Sequence, residues 1–375
     1  MANANQVALG RSNLSTGTGY GGATDKYALY LKLFSGEMFK GFQHETIARD
    51  LVTKRTLRNG KSLQFVYTGR MSSSFHTPGT PILGNSDKAP PVAEKTIVMD
   101  DLLISSAFVY DLDETLAHYE LRGEISKKIG YALAEKYDRL IFRSITRGAR
   151  SASPVSATNF VEPGGTQIRV GSTTNDSDAY NATNLVNAFY DAAAALDEKG
   201  VSTDGRCAVL NPRQYYSLIQ NVGSNGLVNR DVQGDALQGG SGVIEIAGIH
   251  IYKSMNIPFL GKYGVAYGGT TGEVSPGNLG SFIGPTPENA NATGGVNNDY
   301  GTNTELGAKS CGLIFQKEAA GVVEAIGPQV QVTNGDVSVI YQGDVILGRM
   351  AMGAAYLNPA AAVELYVGTS APSAF

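Results

Sequence analysis

Apolar residues recur at steps of three and four from position 111 to position 150, and this period predicts one long amphipathic helix. Acidic Asp113 and Glu114 lie in its first turn and arginines lie near its end, an arrangement that complements the helix dipole. Gly148 is the predicted stop. A helix of about 35 residues forms a rod of about 50 Å, longer than an ordinary compact domain needs. The pattern therefore predicts an extended molecule.

The N-terminal part of the chain alternates between polar segments and segments with a regular apolar pattern. Residues 1–24 carry few side chains to bury and are predicted to form a flexible arm, followed from Tyr27 by a short amphipathic helix. Between residues 51 and 101, two runs of alternating apolar residues flank a tip rich in Gly, Pro and Ser, which predicts a protruding β-hairpin. A two-stranded hairpin is marginal by itself, so we expect it to lie on another surface.

The C-terminal half has the pattern of a compact α/β unit. A helix is predicted over 181–200, a strand over 206–211, and a second helix that begins at Pro212. Two strands are predicted over 243–254, and residues 102–110 also have a strand pattern. Gly-rich stretches at 221–242 and 261–309 are predicted as long loops, and the chain ends in a strand-rich segment. The predicted fold class is α+β.

Composition narrows the class of protein. The chain has 375 residues, of which 42% are hydrophobic and 17% are charged, as expected for a globular protein that buries a core. Its net charge of −4 argues against nucleic acid as the main ligand. Cys207 and Cys311 lack redox or metal spacing, so each is predicted to be buried and inert. No apolar run approaches a membrane span and the start is polar, so we expect neither membrane insertion nor export.

One short motif has a catalytic appearance. The run FVYDLDETLAH at 108–118 resembles the first motif of haloacid-dehalogenase-type phosphatases, in which Asp111 would attack phosphorus, Asp113 would act as general acid and base, and Mg²⁺ would join them. That fold requires a turn and flap after the second aspartate, whereas helical periodicity begins here at once. Asp113 is better explained as a helix N-terminal cap. The phosphatase remains the alternative hypothesis.

No cofactor or metal site is predicted. The four histidines, His44, His76, His118 and His250, are isolated from other residues at metal-ligand spacing. The glycines at 221–242 lack the strand and helix context of a nucleotide-binding loop.

Two groups of basic residues are candidate contact sites. The first lies in and beside the predicted hairpin, where the side chains are expected either to meet carboxylates of a neighbouring subunit or to be solvated. The second lies at four-residue steps along the end of the long helix, where a solvated helix end, a subunit salt-bridge face and a phosphate contact all remain open. The candidates are Lys54, Arg55, Arg58, Lys61 and Arg70 in the first group, and Arg139, Arg143 and Arg147, followed by Arg150, in the second.

The order of arm, hairpin, long helix, α/β unit and strand-rich end resembles the major capsid proteins of tailed bacteriophages, which have the Hong Kong 97 capsid fold. Four stretches are similar to the capsid proteins of the T-seven-like podoviruses, including those that infect cyanobacteria. They are DKYALYLKLFSGEMFKGF, GKSLQFVYTGR, DDLLISSAFVYDLDETLAHYELRGEISKKIGYALAEKYD and AMGAAYLNPAAAVELYV. They cover about half of the chain, and none is a short universal motif.

The resemblance implies a domain organisation. Residues 1–46 would be the N-terminal arm and residues 47–101 an extended loop that lies over a neighbouring subunit. Residues 102–178 and 326–375 would form the peripheral domain with its spine helix, and residues 179–325 the axial domain.

The resemblance also implies partners and a location. Hexamers and pentamers of the chain would close an icosahedral shell around double-stranded DNA in the virion, assembled in the host cytoplasm on a scaffolding protein and nucleated at a portal protein. An encapsulin-type compartment shell is a rival with the same fold. Related phages join a Lys and an Asn covalently; Lys61 and Lys88 lie in the predicted hairpin, but no cross-link is predicted.

Overall fold

The protein is described here by a computed structural model. The residues it describes are 46–68, 73, 75–80, 92–99, 102–110, 121–157, 160–171, 176–220, 244–254, 256–257, 310–332, 342–368 and 371. The predicted flexible arm, the start of the long helix with Asp111 and Asp113, and the two long loops lie outside these residues. So do most of the predicted amphipathic helix and most of the hairpin tip, including Arg70 and Lys88.

Four α-helices and fourteen strands are defined within the described residues. The helices are α1 (Ala48–Leu51), α2 (Leu121–Ala149), α3 (Ala182–Glu198) and α4 (Pro212–Gln220). The strands are β1 (Thr53–Thr56), β2 (Ser62–Thr68), β3 (Val92–Val98), β4 (Leu103–Tyr110), β5 (Ser156–Ala157), β6 (Phe160–Val161), β7 (Thr166–Arg169), β8 (Arg206–Leu210), β9 (Ile244–Ile246), β10 (Ile249–Lys253), β11 (Ser310–Gln316), β12 (Ala320–Val332), β13 (Gly343–Tyr356) and β14 (Ala362–Tyr366).

The chain divides into two compact units, each made of separated segments. The first contains Met1–Thr46, Asp100–Lys136 and Ala325–Met352, and the second contains Ile47–Met99, Tyr137–Glu324 and Gly353–Phe375. Helix α2 and strands β12 and β13 contribute residues to both units.

In the first unit, β4 pairs antiparallel with β13 along its whole length, which confirms the strand predicted over 102–110. Helix residues Ile129 and Leu133 are buried. They lie close to Gly348 of β13, where a Cβ atom would be only 3.0 Å from Cδ1 of Leu133 and closer still to Ile129. Glycine is therefore needed at this position, because any side chain would separate the helix from the strand.

The core of the second unit is a six-stranded mixed sheet in the order β7-β14-β11-β8-β10-β9. Every residue of the central strands β8 and β11 is buried, as expected for strands that are covered on both faces. Helix α3 buries Leu185, Phe189 and Leu196, and Asn181 caps its start by accepting a hydrogen bond from the N–H of Thr183. The predicted succession of helix, strand, Pro-initiated helix and two strands is confirmed here.

The long helix is confirmed from Leu121 to Ala149, but its end differs from the prediction. Gly148 lies inside the last turn and is buried, and the helix ends one residue later. A Cβ atom at position 148 would lie 2.9 Å from Cβ of Tyr356, so this glycine serves close packing and does not stop the helix. The last turns also bury far more than one stripe, including Leu140, Phe142 and polar Thr146.

The hairpin of β2 and β3 is confirmed, with Ser62 opposite Val98 and Thr68 opposite Val92. Burial alternates along both strands, as the pattern of apolar residues predicted. On the inner face, Ile97 is 1% exposed and packs in a cluster with other apolar residues of the second unit. The members of this cluster are Leu57, Leu63, Phe65, Ile97, Met99, Val323, Ala355 and Leu357. The base of the hairpin therefore packs on its own chain.

No helix among the described residues is both long enough and apolar enough to cross a membrane.

Candidate functional site

The outer face of the hairpin exposes apolar side chains. Val66 is 71% exposed, Val92 61% and Val98 51%, and all three belong to the exposed set of the alternating pattern. Polar residues of the same face surround them, with Glu94 directly opposite Val66. Exposed β-branched residues with a polar rim are typical of a surface that another protein covers.

The inner face of the hairpin is fixed to its own unit by polar contacts as well. Nζ of Lys95 lies 3.4 Å from the ring centroid of Tyr356, a cation–π contact. Burial raises the pKa of the Tyr356 hydroxyl, but hydrogen bonds with Lys95 and Ser151 outweigh it and lower the pKa overall. The Tyr67 hydroxyl lies 3.4 Å from a side-chain oxygen of Asn358. Along the described strands, the outer face of the hairpin is therefore the more exposed of the two.

The basic residues predicted around the hairpin have different environments. Nζ of Lys54 lies 3.1 Å from Oε2 of Glu324, and the Arg55 guanidinium lies 5.5 Å from the Phe65 ring centroid. These two side chains already have partners within their own chain. Arg58 and Lys61 are exposed, on either side of the turn that Gly60 makes with a φ of +96°. Arg70 lies outside the described residues.

Glu324 of β12 collects side chains from three other elements. Besides Lys54, it accepts hydrogen bonds from Nη2 of Arg49 at 3.2 Å and from the Tyr137 hydroxyl at 2.8 Å. Its side chain is 5% exposed, while those of Arg49 and Lys54 are 39% and 35% exposed. Burial would raise the pKa of Glu324, but its hydrogen bonds with Tyr137, Lys54 and Arg49 hold it below its usual value. The carboxylate is therefore ionised and joins α1, β1 and α2 to β12.

Asp138 is a second buried carboxylate, one residue along helix α2 from Tyr137. Its Oδ2 atom accepts a hydrogen bond from the Ile47 N–H at 3.0 Å, and its Oδ1 atom accepts one from the Ala48 N–H at 3.1 Å. The Asn256 amide donates a longer bond of 3.4 Å to Oδ2. Burial raises the pKa of Asp138 to about 6, although these three hydrogen bonds act in the opposite direction.

The arginines at the end of the long helix do not share one environment. Arg147 is exposed, Arg139 and Arg143 are half-buried, and Arg150 is buried. Arg150 forms an ion pair of 2.6 Å with Glu364, whose side chain is fully buried. The interpretation that these arginines are solvated side chains at a helix end is thus wrong for Arg150.

The described residues contain no group of three or more His, Cys, Asp and Glu side chains that could hold a metal ion. Cys207 and Cys311 are buried, and burial raises the pKa of Cys207 to about 12. The prediction that both are buried is confirmed. Neither thiol is therefore suited to act as a nucleophile.

Sequence reasoning missed three carboxylates that organise the second unit, namely Asp138, Glu324 and Glu364. Glu324 and Glu364 are lone acids within apolar runs, GVVEAIG and AAVELYV, whereas Asp138 lies among the charged residues of the long helix. A charged residue in such a run is rarely buried unless it is paired, so an unexpected acid in a predicted core strand was the available signal.

Comparison with known proteins gives consistent matches to phage capsid proteins. Residues 64–366 match the family described as Gp10A-like: Major capsid protein. The major capsid protein of Escherichia phage T7 is 26% identical over 357 residues, which cover 92% of this chain and 94% of that protein. A chain from the capsid of the cyanophage P-SCSP1u is 33% identical with a TM-score of 0.68, covering 94% of this chain and 98% of that chain. A chain from the mature capsid of bacteriophage PhiM1 shares the fold at 14% identity and a TM-score of 0.62, covering 90% and 92%.

Proposed function

The chain belongs to the Gp10A-like family of major capsid proteins, and from this premise we propose that it builds a phage shell from hexamers and pentamers of itself. It is a structural subunit of an icosahedral virion capsid, with the mixed α+β fold of phage capsid proteins. The family match spans Asp111 and Asp113, so the phosphatase hypothesis is set aside. The similar proteins described above are phage capsid proteins, which favours a virion over an encapsulin-type compartment.

We propose the following roles for the segments of the chain. Residues 1–46 form the N-terminal arm and residues 47–101 the extended loop. Residues 102–178 and 326–375 form the peripheral domain around the spine helix, and residues 179–325 form the axial domain. The pairing of β2 with β3 supports an extended loop within residues 47–101, and the unbroken helix from Leu121 to Ala149 supports the position of the spine.

The observation that carries the proposal is the two-sided hairpin. Its inner face is packed on its own chain, whereas Val66, Val92 and Val98 of the outer face are more than half exposed. A shell subunit must bury apolar surface against other copies of itself, and the exposed valines on the outer face of this two-stranded ribbon supply part of such a surface. The partner we propose for this face is a neighbouring subunit.

Basic residues would add electrostatic specificity to this contact. We propose that Arg58 and Lys61, together with Arg70, meet carboxylates of the neighbouring subunit. Lys54 and Arg55 are bound within their own chain, so their intersubunit contribution would come from the parts that remain exposed. The same role is proposed for Arg139, Arg143 and Arg147 on the spine helix.

The shell would enclose double-stranded DNA without reading its sequence. A net charge of −4 supports this, because a strongly basic wall would hold the phosphates and hinder release of the DNA. Assembly in the host cytoplasm on a scaffolding protein, nucleated at a portal protein, completes the proposal.

Substitution of the outer face tests the proposal. Val66→Lys and Val98→Lys place charges on exposed strand positions, where the folded subunit tolerates them but a dry interface does not. We expect wild-type protein to form hollow particles, and each variant to sediment as unassembled subunits or capsomers in ultracentrifugation and negative-stain microscopy.

Ala194→Lys is the matched control, because Ala194 is an exposed residue on helix α3, away from the hairpin. It should assemble as the wild type does, and all three variants should keep the thermal unfolding midpoint of the wild type. Normal particles from both hairpin variants would refute the outer face as a subunit contact.

A further inference from the structure

Helix α1 lies between the two parts of the chain for which we propose roles in assembly. Residues 1–46 precede it, and β1 and the hairpin follow it. It is only four residues long, which is far too short to be stable without contacts to other elements. Its N-cap residue, Ile47, provides no side-chain cap. The contacts that fix its position must therefore come from elsewhere in the fold.

Asp138 supplies the missing cap from a different helix. Its two carboxylate oxygens accept the N–H groups of Ile47 and Ala48, which are free backbone donors at the start of a helix. Both Ala48 and Asp138 are completely buried, so water cannot replace the carboxylate in this arrangement. Ala48 and Asp138 are 90 positions apart in the sequence, so this is a tertiary contact between α1 and α2.

Glu324 fixes the opposite side of the same segment. It binds Arg49 of α1 and Lys54 of β1, while β1 runs parallel to β12 with Lys54 opposite Val322. Tyr137 adds its hydroxyl from the neighbouring position to Asp138. Asp138 of helix α2 thus binds the start of the segment 47–54, and Glu324 of β12 binds Arg49 and Lys54 within it.

We propose that Asp138 and Glu324 are positioning residues for assembly, which together make the segment 47–54 a fixed anchor that sets where the N-terminal arm and the hairpin leave the body of the subunit. This inference rests on the proposed function, because it assumes that the arm and the hairpin contact neighbouring copies. The two carboxylates contribute no bond to another subunit; they set the direction in which the contacting elements start.

A closed shell forms only when neighbouring subunits meet within a narrow range of angles. Subunits of hexamers and pentamers make similar contacts within that range, and a heterologous contact closes a ring only when its rotation falls in it. A hairpin or arm that pivots about a loose origin can still bind a neighbour, but it does so at variable angles. Loss of the anchor should therefore produce irregular assemblies, whereas loss of the outer-face contact should produce none.

The test uses the full chain with three substitutions of buried carboxylates. Asp138→Asn and Glu324→Gln keep the size of each side chain and remove its charge. Glu364→Gln does the same to the partner of Arg150 on β14 of the six-stranded sheet, a carboxylate that accepts hydrogen bonds from Arg150 and Gln167. It is the matched control for burying a neutral amide in the same unit.

Two measurements are made on each protein. Hydrogen exchange of unassembled subunits reports the local opening of residues 47–56, and microscopy of assembled material reports particle shape. We expect Asp138→Asn and Glu324→Gln to raise exchange in 47–56 by about tenfold or more, since hydrogen bonds to a charged group are lost, and to give open or misshapen particles. Glu364→Gln leaves Arg150 buried without its full counter-charge and should destabilise the whole unit, so exchange in 47–56 should rise no more than exchange elsewhere in the unit.

Each remaining outcome has a definite meaning. Unchanged exchange in 47–56, or raised exchange with regular closed shells, overturns the anchor while leaving the proposed function intact. Failure of the wild-type chain to form shells overturns the proposed function itself. If both carboxylate variants fail to fold, Arg49→Gln decides, because it removes one partner of Glu324 from a side chain that is 39% exposed; wild-type exchange or regular shells in that variant overturn the proposal.

Discussion

Arg150 and Glu364 form a two-point ion pair in the interior of the second unit. Nε of Arg150 donates to Oε2 of Glu364 at 2.8 Å, and Nη2 donates to Oε1 at 2.6 Å. The Gln167 amide donates a further bond of 2.9 Å to Oε2. Through this pair, the residue that follows helix α2 is tied to strand β14, and through Gln167 to β7. The arrangement has the fork geometry that arginine and carboxylate form when both groups are desolvated.

Removal of one partner should be strongly destabilising. Arg150→Met leaves the Glu364 carboxylate buried without its counter-charge, and we expect a loss of about 3–5 kcal/mol in the free energy of unfolding. Arg147→Met is the control, because Arg147 is exposed three residues earlier, and it should change stability by at most about 0.5 kcal/mol. Urea unfolding of both variants followed by circular dichroism measures the difference; equal losses would contradict the buried pair.

Substitution by alanine should have opposite effects on stability at two glycines of helix α2. Gly130 has open space where a Cβ atom would lie, so Gly130→Ala should stabilise the protein by up to about 1 kcal/mol through helix propensity. At Gly148 a Cβ atom would lie 2.9 Å from Cβ of Tyr356, and Gly148→Ala should destabilise it by about 1–3 kcal/mol through overpacking. Thermal unfolding of the two variants gives the comparison. A stabilising Gly148→Ala substitution would mean that Tyr356 does not pack against the helix as described.

The pKa of Asp138 predicts a specific dependence of stability on pH. Burial raises this pKa to about 6, so the folded protein holds the proton more tightly than the unfolded chain does. The part of the stability that depends on this proton is therefore complete below the unfolded pKa of about 4 and is lost as the pH rises through the folded pKa of about 6, a change of about 3 kcal/mol.

Asp138→Asn removes this titration. The free energies of unfolding of the wild type and the variant should diverge by about 3 kcal/mol between pH 4 and pH 7, with the wild type losing more stability than the variant. Urea titrations at several pH values measure this difference, in which the contributions of all other titrating groups cancel. A constant difference across the range would show that the carboxyl has an ordinary pKa.

The two thiols should be unreactive in the folded protein. Cys207 and Cys311 are both buried, and burial raises the pKa of Cys207 to about 12. Because the thiolate is the reactive form, an aromatic disulfide reagent at neutral pH should label neither residue in native subunits and both in urea. Stoichiometric labelling of the native subunit would contradict the assigned burial.

Much of the secondary structure is determined by the local sequence. The period of three and four along 121–149, the alternation of Leu63, Phe65 and Tyr67, and Pro212 at the start of its helix each predict the element that the structure contains. These signals are local because one covered face imposes its spacing on the residues that form it. The order of the elements also indicates the capsid family, and the family match confirms it.

The tertiary structure alone decides which charged residues lie inside. Arg147 and Arg150 belong to one sequence pattern, yet the first is exposed and the second is buried, because Glu364 of a distant strand faces only the second. The roles of Asp138 and Glu324 depend in the same way on segments that lie far away in the chain. A periodic pattern specifies which face of an element is covered, but the partner that covers each turn is set by long-range packing, and the free energy of a buried charge depends on that partner.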